Sequence, residues 1–313
     1  MNLKNNFIII IIIAIAIYSV FLFYSDYDTI SEKITLFQTE YLFLILLLVA
    51  ISWIPLIVKW NLLLQKNNIK IPIKKSILIW LSGSALSITP GQIGELIKSQ
   101  LIKNIFNIPR SKTAPIIFAE KFYDLIGAII VSIIGVIVLD IDQNLIFLSL
   151  SILCILFFLI YYRPLFESIL KKIIKLRYFS KFSDNLDESY KIVQNSTSPK
   201  ISLISISLSI IYWIIISFSV YLILLAFNIE TISFLNSIAM YPTSVLVGVA
   251  SLIPGGVGVT EGSLTGLLSL QGIDVSLALV LSVVIRIFTL WFTIFIGFIG
   301  LKLIGFSTVQ EKS

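Results

Sequence analysis

Histidine is absent from the 313-residue chain, and there is one cysteine. Without imidazole there is no histidine triad, no histidine-bound metal and no imidazole proton shuttle. A lone thiol, Cys154 in an apolar run, makes neither a disulfide framework nor a thiolate cluster; its surroundings mark it as an inert core residue. Charge is scarce as well. Only 13% of residues are Asp, Glu, Lys or Arg, against about 25% in soluble domains, while 58% are hydrophobic and the mean hydropathy is +1.02. So few charges cannot solvate so much apolar side chain, which excludes a soluble globule and defines a polytopic membrane protein. No GxxxxGK[ST] string occurs, so no nucleotide site is expected. No cofactor and no metal are implied.

What is abundant is isoleucine, 62 residues. In water such a bias would favour strands, but in lipid every backbone group must be paired within its own segment, so long Ile-rich runs are helical. The apolar runs Phe7–Tyr24, Tyr41–Val58, Ala114–Leu139, Leu145–Tyr162, Ile201–Phe227 and Ser276–Leu303 each come near or above the roughly 20 residues that cross about 30 Å of hydrocarbon. The first is too long, and too poor in a small-residue cleavage site, for a removed signal peptide. Two further runs are ambiguous. Ser76–Thr89 is short for a crossing, and Ile232–Ile253 is interrupted by Pro242; both lead into Pro-Gly pairs. The expected fold is an all-α membrane protein with about six long spanning helices and two Pro-Gly-broken hairpins, either re-entrant or built from short crossings.

Charge placement orients the spans. Five lysines and no acids lie in Lys59–Lys75; Lys98, Lys103, Arg110 and Lys112 follow; eight bases fall in Arg163–Lys200. Asp26, Asp28, Glu32, Glu40, Asp140, Asp142, Glu230 and Asp274 occupy the other connections, with Lys33 the lone base. Both termini and the basic connections are therefore expected in the cytoplasm, in a plasma (inner) membrane. The net charge of +6 is read as attraction to anionic lipid rather than to nucleic acid. Phe166–Phe182 mixes apolar and basic positions, as an interfacial helix or a solvated connector would. Segment 76–112 has basic flanks and segment 232–274 acidic ones, so each must enter and leave on one side, and the two sides are opposite.

A weak internal repeat accompanies this symmetry. Pro90-Gly91-Gln92-Ile93-Gly94 matches Pro254-Gly255-Gly256-Val257-Gly258; beyond each motif a long helix carries a cation, Lys121 or Arg286. The chain reads as one integral domain, 1–313, with half-repeats near 41–162 and 201–303 joined by the loop 163–200. Opposite orientation of the copies would give the inverted repeat common among secondary transporters.

The candidate site is built from these motifs. Pro90, Gly91 and Gly94, with Pro254, Gly255, Gly256 and Gly258, bare the backbone where an apolar run breaks, and proline suits the start of a helix. Such a start offers N–H groups and a positive dipole end to an anion, although a Pro-Gly also simply kinks a helix. Glu95 and Glu261 follow within about a turn, either as caps or as titratable groups beside a substrate path. Lys98 can pair with Glu95 or meet a lipid phosphate. Glu120 and Asp124 share one helix face and Lys121 can bridge to Asp124; at roughly 2.5–3.5 kcal/mol each on insertion scales, such groups do not face lipid. Arg286 needs a carboxylate, and Glu120 or Asp124 is the expected partner.

The strings Pro90–Lys98 (PGQIGELIK), Ala119–Asp124 (AEKFYD) and Ile253–Glu261 (IPGGVGVTE), with Arg286, resemble the transmembrane domain of lysylphosphatidylglycerol synthases across nearly the whole chain. That resemblance implies a flippase module, joined in full-length synthases to a soluble aminoacyl-transfer domain. No such domain is seen here, so lysyl transfer is expected to be absent and the chain is not expected to be an enzyme. The family usually has arginine where this chain has Lys98 and Lys121; lysine keeps the charge and loses the bidentate fork for phosphate. The resulting expectation is a flippase-like transporter of an anionic phospholipid or polyprenyl phosphate. It would be gradient-driven or passive, with protons as one coupling ion. The alternatives are a membrane lipid-phosphate transferase or hydrolase, and a scaffold presenting lipid to a separate lipid-modifying enzyme.

Overall fold

The computed structural model describes residues 34–138 and 186–305. The runs Phe7–Tyr24 and Leu145–Tyr162 with Cys154, the acidic residues 26–32 and 140–142, and the segment Phe166–Phe182 lie outside them. Among the described residues every regular element is helical.

The first long helix, α1 (Leu42–Lys66), continues a short 3-10 turn at Thr39–Tyr41. Then come α2 (Ile73–Ser84), a 3-10 segment at Pro90–Leu96, α3 (Ile97–Phe106) and α4 (Arg110–Val138). After α5 (Leu186–Ser196), α6 runs from Pro199 to Ala226, with proline in its first turn. Next are α7 (Phe234–Ala250), a 3-10 turn at Pro254–Gly256, α8 (Val259–Leu270) and α9 (Val275–Ile304), which contains a π-helical turn at Ile287–Trp291.

Three apolar stretches, Thr39–Lys66, Pro199–Ala226 and Val275–Ile304, have 28, 28 and 30 residues. At about 1.5 Å per residue each exceeds the hydrocarbon thickness. Their outward faces are apolar: Phe43 is 76% exposed, Leu203 69% and Phe295 62%, a surface that only lipid or a partner covers without cost. The hairpin helices are shorter. α2, α3 and α8 have 12, 10 and 12 residues, about 15–18 Å of rise, so none crosses alone. Pro242 does not interrupt its helix as expected. α7 passes through it; the missing Pro242 N–H takes the helical donor from the Ile238 carbonyl, and the Thr243 and Ser244 hydroxyls bond to the next two carbonyls, of Ala239 and Met240. The helix ends instead at Ala250, capped by Ser251, and Leu252 turns left-handed (φ 56°) ahead of Pro254.

Long helix, short helix, Pro-Gly turn, short helix, long helix: this order occurs twice, from α1 to α4 and from α6 to α9. The packing is reciprocal. α1 lies on α6, the two Pro-Gly turns lie on each other, α2 packs on the C-terminal part of α9, and α7 packs on α4. Small residues set the closest approaches. A Cβ on Gly127 of α4 would stand 2.7 Å from Ser209 Cβ on α6, and one on Gly297 would meet the backbone of Ala85 and Leu81. Packing without side-chain spacers is how helices associate where lipid supplies no hydrophobic drive.

Two polar clusters mark opposite ends. Gln38 donates through its backbone N–H to Ala226 (2.8 Å) and through its side chain to Asn228 (2.6 Å). At the other end Asn67 donates to Ser196 (2.9 Å), and Lys112 pairs with Glu188 (3.3 Å). The lysines at 66, 70, 74, 75 and 191 belong to the second end.

Candidate functional site: a buried ion-pair chain beneath two meeting turns

Where α4 passes between α1, α3 and α6, six charged side chains from three helices and one turn form a continuous chain. Lys98, in the first turns of α3, is fully buried and donates to Glu95 (2.9 Å) and to Glu120 (2.7 Å). Trp80 of α2 donates its indole N–H to Glu120 (2.9 Å), and the Lys98 ammonium stands 4.9 Å from the Trp60 ring centre. The stem of Lys98 reaches these partners only because residue 83 has no side chain; a Cβ there would lie 2.7 Å from Lys98 Cγ and Cδ.

Glu95 also takes Lys121 (2.5 Å), which in turn stands 3.8 Å from Asp124. Asp124 is paired with Lys59 of α1, which also donates to the Ser209 hydroxyl (2.9 Å). Ser209 donates to Asp124 (3.3 Å), and Trp213 donates to the Asp124 carbonyl (3.0 Å). In order, the chain reads Lys59, Asp124, Lys121, Glu95, Lys98, Glu120. Three cations alternate with three carboxylates. Exposure peaks in the middle: the Lys121 side chain is 29% exposed and Asp124 16%, whereas Lys59, Lys98 and Glu120 are at 0–1%. Alternation is what makes the burial tolerable, since a buried charge lacking one partner costs several kcal/mol.

The second half has a smaller counterpart. Arg286 Nε donates to Glu261 (3.1 Å), both fully or nearly buried, and an Arg286 guanidinium N–H bonds to the Gly255 carbonyl. Glu261 uses its other oxygen to accept from the Gly258 N–H (2.7 Å), capping α8. The partner expected for Arg286, Glu120 or Asp124, is thus corrected. α8 and α9 form a hairpin that carries Glu261 to Arg286. The first half does the same, since Glu95 meets Lys121 of its own long helix. Tyr212 and Tyr241 lie between the two clusters, with Tyr212 in electrostatic reach of Asp124, Glu95, Tyr241 and Arg286, and Tyr241 bonded to Thr289 and Arg286.

The Pro-Gly turns stand above these clusters and touch. Gly91 and Gln92 are both left-handed (φ 57° and 56°), as are Gly255 and Gly256 (both φ 62°). A Cβ on Gly255 would lie 2.8 Å from Ile88 of the opposing hairpin. Four of the N–H groups in these turns are already bonded within the protein. Gln92 bonds to Thr89 O (2.8 Å), Gly94 to Thr89 Oγ1 (2.6 Å), Gly256 to Ile253 O (2.9 Å), and Gly258 to Glu261. Pro90 and Gly91 are exposed and Gly94 is half-buried against Leu86 and Thr89.

Lys59 escaped the sequence reading. It ends an apolar run and opens a basic one, so it looked like the first residue of a cytoplasmic connection. α1 continues to Lys66, which places Lys59 two turns inside the helix, and it is fully buried. Ser209, Trp80 and Tyr212 were likewise missed, because polar residues scattered in apolar runs carry no periodic signal of their own.

Helices of crossing length, lipid-ready outer faces and an interior chain of ion pairs define a polytopic helical membrane protein. Within that class, the chain belongs to the family described as the lysylphosphatidylglycerol synthase TM region, which it matches over residues 11–297. It is 24% identical over 317 residues to a UPF0104 membrane protein of Pyrococcus horikoshii, covering 92% of this chain and 94% of that protein. A UPF0104 membrane protein of Methanocaldococcus jannaschii is 24% identical over 229 residues, 72% of this chain and 96% of the relative. One from Methanothermobacter thermautotrophicus is 36% identical over 90 residues, which span 29% of this chain and only 27% of that protein.

Proposed function

We propose that this protein moves a lipid with an anionic phosphate headgroup, an anionic phospholipid or a polyprenyl phosphate, between membrane leaflets. The observation that carries the reading is the pairing of two short-helix hairpins whose tips touch directly over a buried, half-open ion-pair chain. Helices too short to cross leave a thin barrier between the two faces, and charged groups inside a membrane mark a path for polar cargo. Lys121 is the cation best placed to meet a phosphate, because it is the most exposed of the chain's three lysines. Lys98 and Arg286 hold their carboxylates and become available only if those pairs open.

The reciprocal packing supports two halves related by a pseudo-two-fold axis in the membrane plane, with Glu95–Lys121 and Glu261–Arg286 as equivalent pairs. Rocking of one half against the other would then expose the same cluster to each leaflet. The end carrying Lys66, Lys70, Lys74, Lys75, Lys112 and Lys191 faces the cytoplasm by the positive-inside rule, and a plasma membrane is the proposed location.

Purified protein reconstituted into vesicles with a fluorescent phosphatidylglycerol in one leaflet tests this. Exchange between leaflets with the lipid chemically unchanged is the expected result. Altered lipid would instead make the protein an enzyme, and bound lipid without exchange would make it a presenting scaffold. Exchange that persists at the wild-type rate in the doubly substituted Arg286→Ala, Asp124→Ala protein would overturn the assignment of the site.

A further inference from the structure

Among the described residues the buried ion-pair chain has no spare charge. Lys59, Lys98 and Lys121 balance Glu95, Glu120 and Asp124, and Arg286 balances Glu261. An anionic headgroup entering this chain makes it negative by one, in surroundings where an unbalanced charge costs several kcal/mol. Something positive must enter with it. We propose that a proton taken up by Asp124 accompanies each phosphodiester anion bound, so that the loaded site is neutral and the lipid and proton move together. This rests on the transport reading above and names its coupling ion.

Asp124 is the carboxylate the geometry selects. Among the three in the chain its side chain is the most exposed, at 16%, against 6% for Glu95 and 1% for Glu120. Its protonation also loosens Lys121, the most exposed of the three cations. With Asp124 neutral, Lys121 keeps Glu95, while the fully buried Lys59 keeps the Ser209 hydroxyl and the now neutral Asp124 carboxyl. The half-exposed Lys121 ammonium can then swing to a phosphate oxygen while Glu95 remains held by Lys98 at 2.9 Å. Glu120 is 1% exposed and its cation Lys98, which would keep Glu95, is fully buried, so a proton or a phosphate has no opening there.

The groups facing Asp124 come from each neighbouring element. α4 itself supplies Glu120 and Lys121, α1 supplies Lys59, and the first Pro-Gly segment with α3 supplies Glu95 and Lys98. α6 supplies Ser209, Trp213 and Tyr212. α7 brings Tyr241, which lies in electrostatic reach of Tyr212. α5 packs on the far end of α4, where its Glu188 takes Ser111 and Lys112, roughly 18 Å along the helix from Asp124. Among the described residues these charges are balanced, so an arriving anion adds net negative charge beside Asp124, and a nearby negative charge favours proton uptake by a carboxylate.

The test is proton uptake on binding. Detergent-solubilised protein in weakly buffered solution receives dihexanoyl-phosphatidylglycerol while pH and bound lipid are both followed. Uptake of about one proton per lipid bound is expected from charge balance, with the same stoichiometry in Glu188→Gln. Asp124→Asn, if folded, is expected to bind the lipid with uptake near zero. Lipid binding by the wild type without proton uptake would overturn the proposal whether or not the variant folds, as would undiminished uptake in folded Asp124→Asn. Vesicles separate this from the transport reading. Proton uptake on binding without leaflet exchange would uphold the charge balance at Asp124 and refute transport. Exchange without proton movement, or with a rate set by membrane potential, would leave transport standing and refute the coupling.

Discussion

Removing Lys98 should be among the most damaging single changes in the protein. In Lys98→Met, Glu120 retains only the Trp80 indole among its described contacts, while Glu95 still has Lys121. A buried carboxylate stripped of its cation costs about 3–5 kcal/mol, and loss of the ammonium over Trp60 adds about 0.5–2 kcal/mol. Adding Glu120→Gln removes the stranded charge, and the chain is balanced again as Lys59 and Lys121 against Asp124 and Glu95. The double variant should therefore recover about 2–3 kcal/mol of the loss, read as a coupling energy in a double-mutant cycle. Unfolding in mixed micelles with graded anionic detergent, followed by tryptophan fluorescence, measures each corner of the cycle. If Lys98→Met unfolds no more readily than the exposed control Lys66→Met, or the coupling lies within about 0.5 kcal/mol of zero, the alternating ion-pair chain is not what holds α3 to α4.

Other outcomes follow from the same contacts. Glu261→Ala removes both the cap on Gly258 and a carboxylate partner of Arg286, so it should cost more than about 3 kcal/mol. Glu261→Gln keeps an acceptor for the cap and should cost less, in the same unfolding assay. Gly297→Leu drives a side chain into the backbone of Ala85 and Leu81; a loss of at least about 1–3 kcal/mol is expected, and wild-type stability would mean that α2 and α9 are not in contact. Cysteines at 88 and 255 in a Cys154→Ser background should form a disulfide under mild oxidation, because the two hairpins meet there. Failure to cross-link, with both thiols reactive to a water-soluble maleimide, would place the Pro-Gly turns apart.

Much of this architecture could be read directly from residue order. The long helices follow from apolar runs that must satisfy their own backbone, and the hairpins from Pro-Gly pairs that end such runs. Glu95, Lys98, Glu120, Lys121, Asp124, Glu261 and Arg286 stood out because ionised side chains are costly in hydrocarbon, wherever they later point. Lys59 did not stand out, because a lysine at the edge of an apolar run looks like the start of a connection until the helix is seen to continue to Lys66.

Residue order thus determined, for every member of the chain but Lys59, which groups had to be buried and that each needed a counter-charge, since both are properties of the side chain and its solvent. It did not determine the pairings. Glu95 with Lys121 and Glu261 with Arg286 are 26 and 25 positions apart, and their meeting depends on how each short helix folds back on its long neighbour. Lys59 with Asp124 depends further on the angle between α1 and α4. Ion pairing falls off within a few ångströms, and that last distance is fixed by packing between helices, through contacts such as Gly127 on Ser209 and Gly83 beneath Lys98.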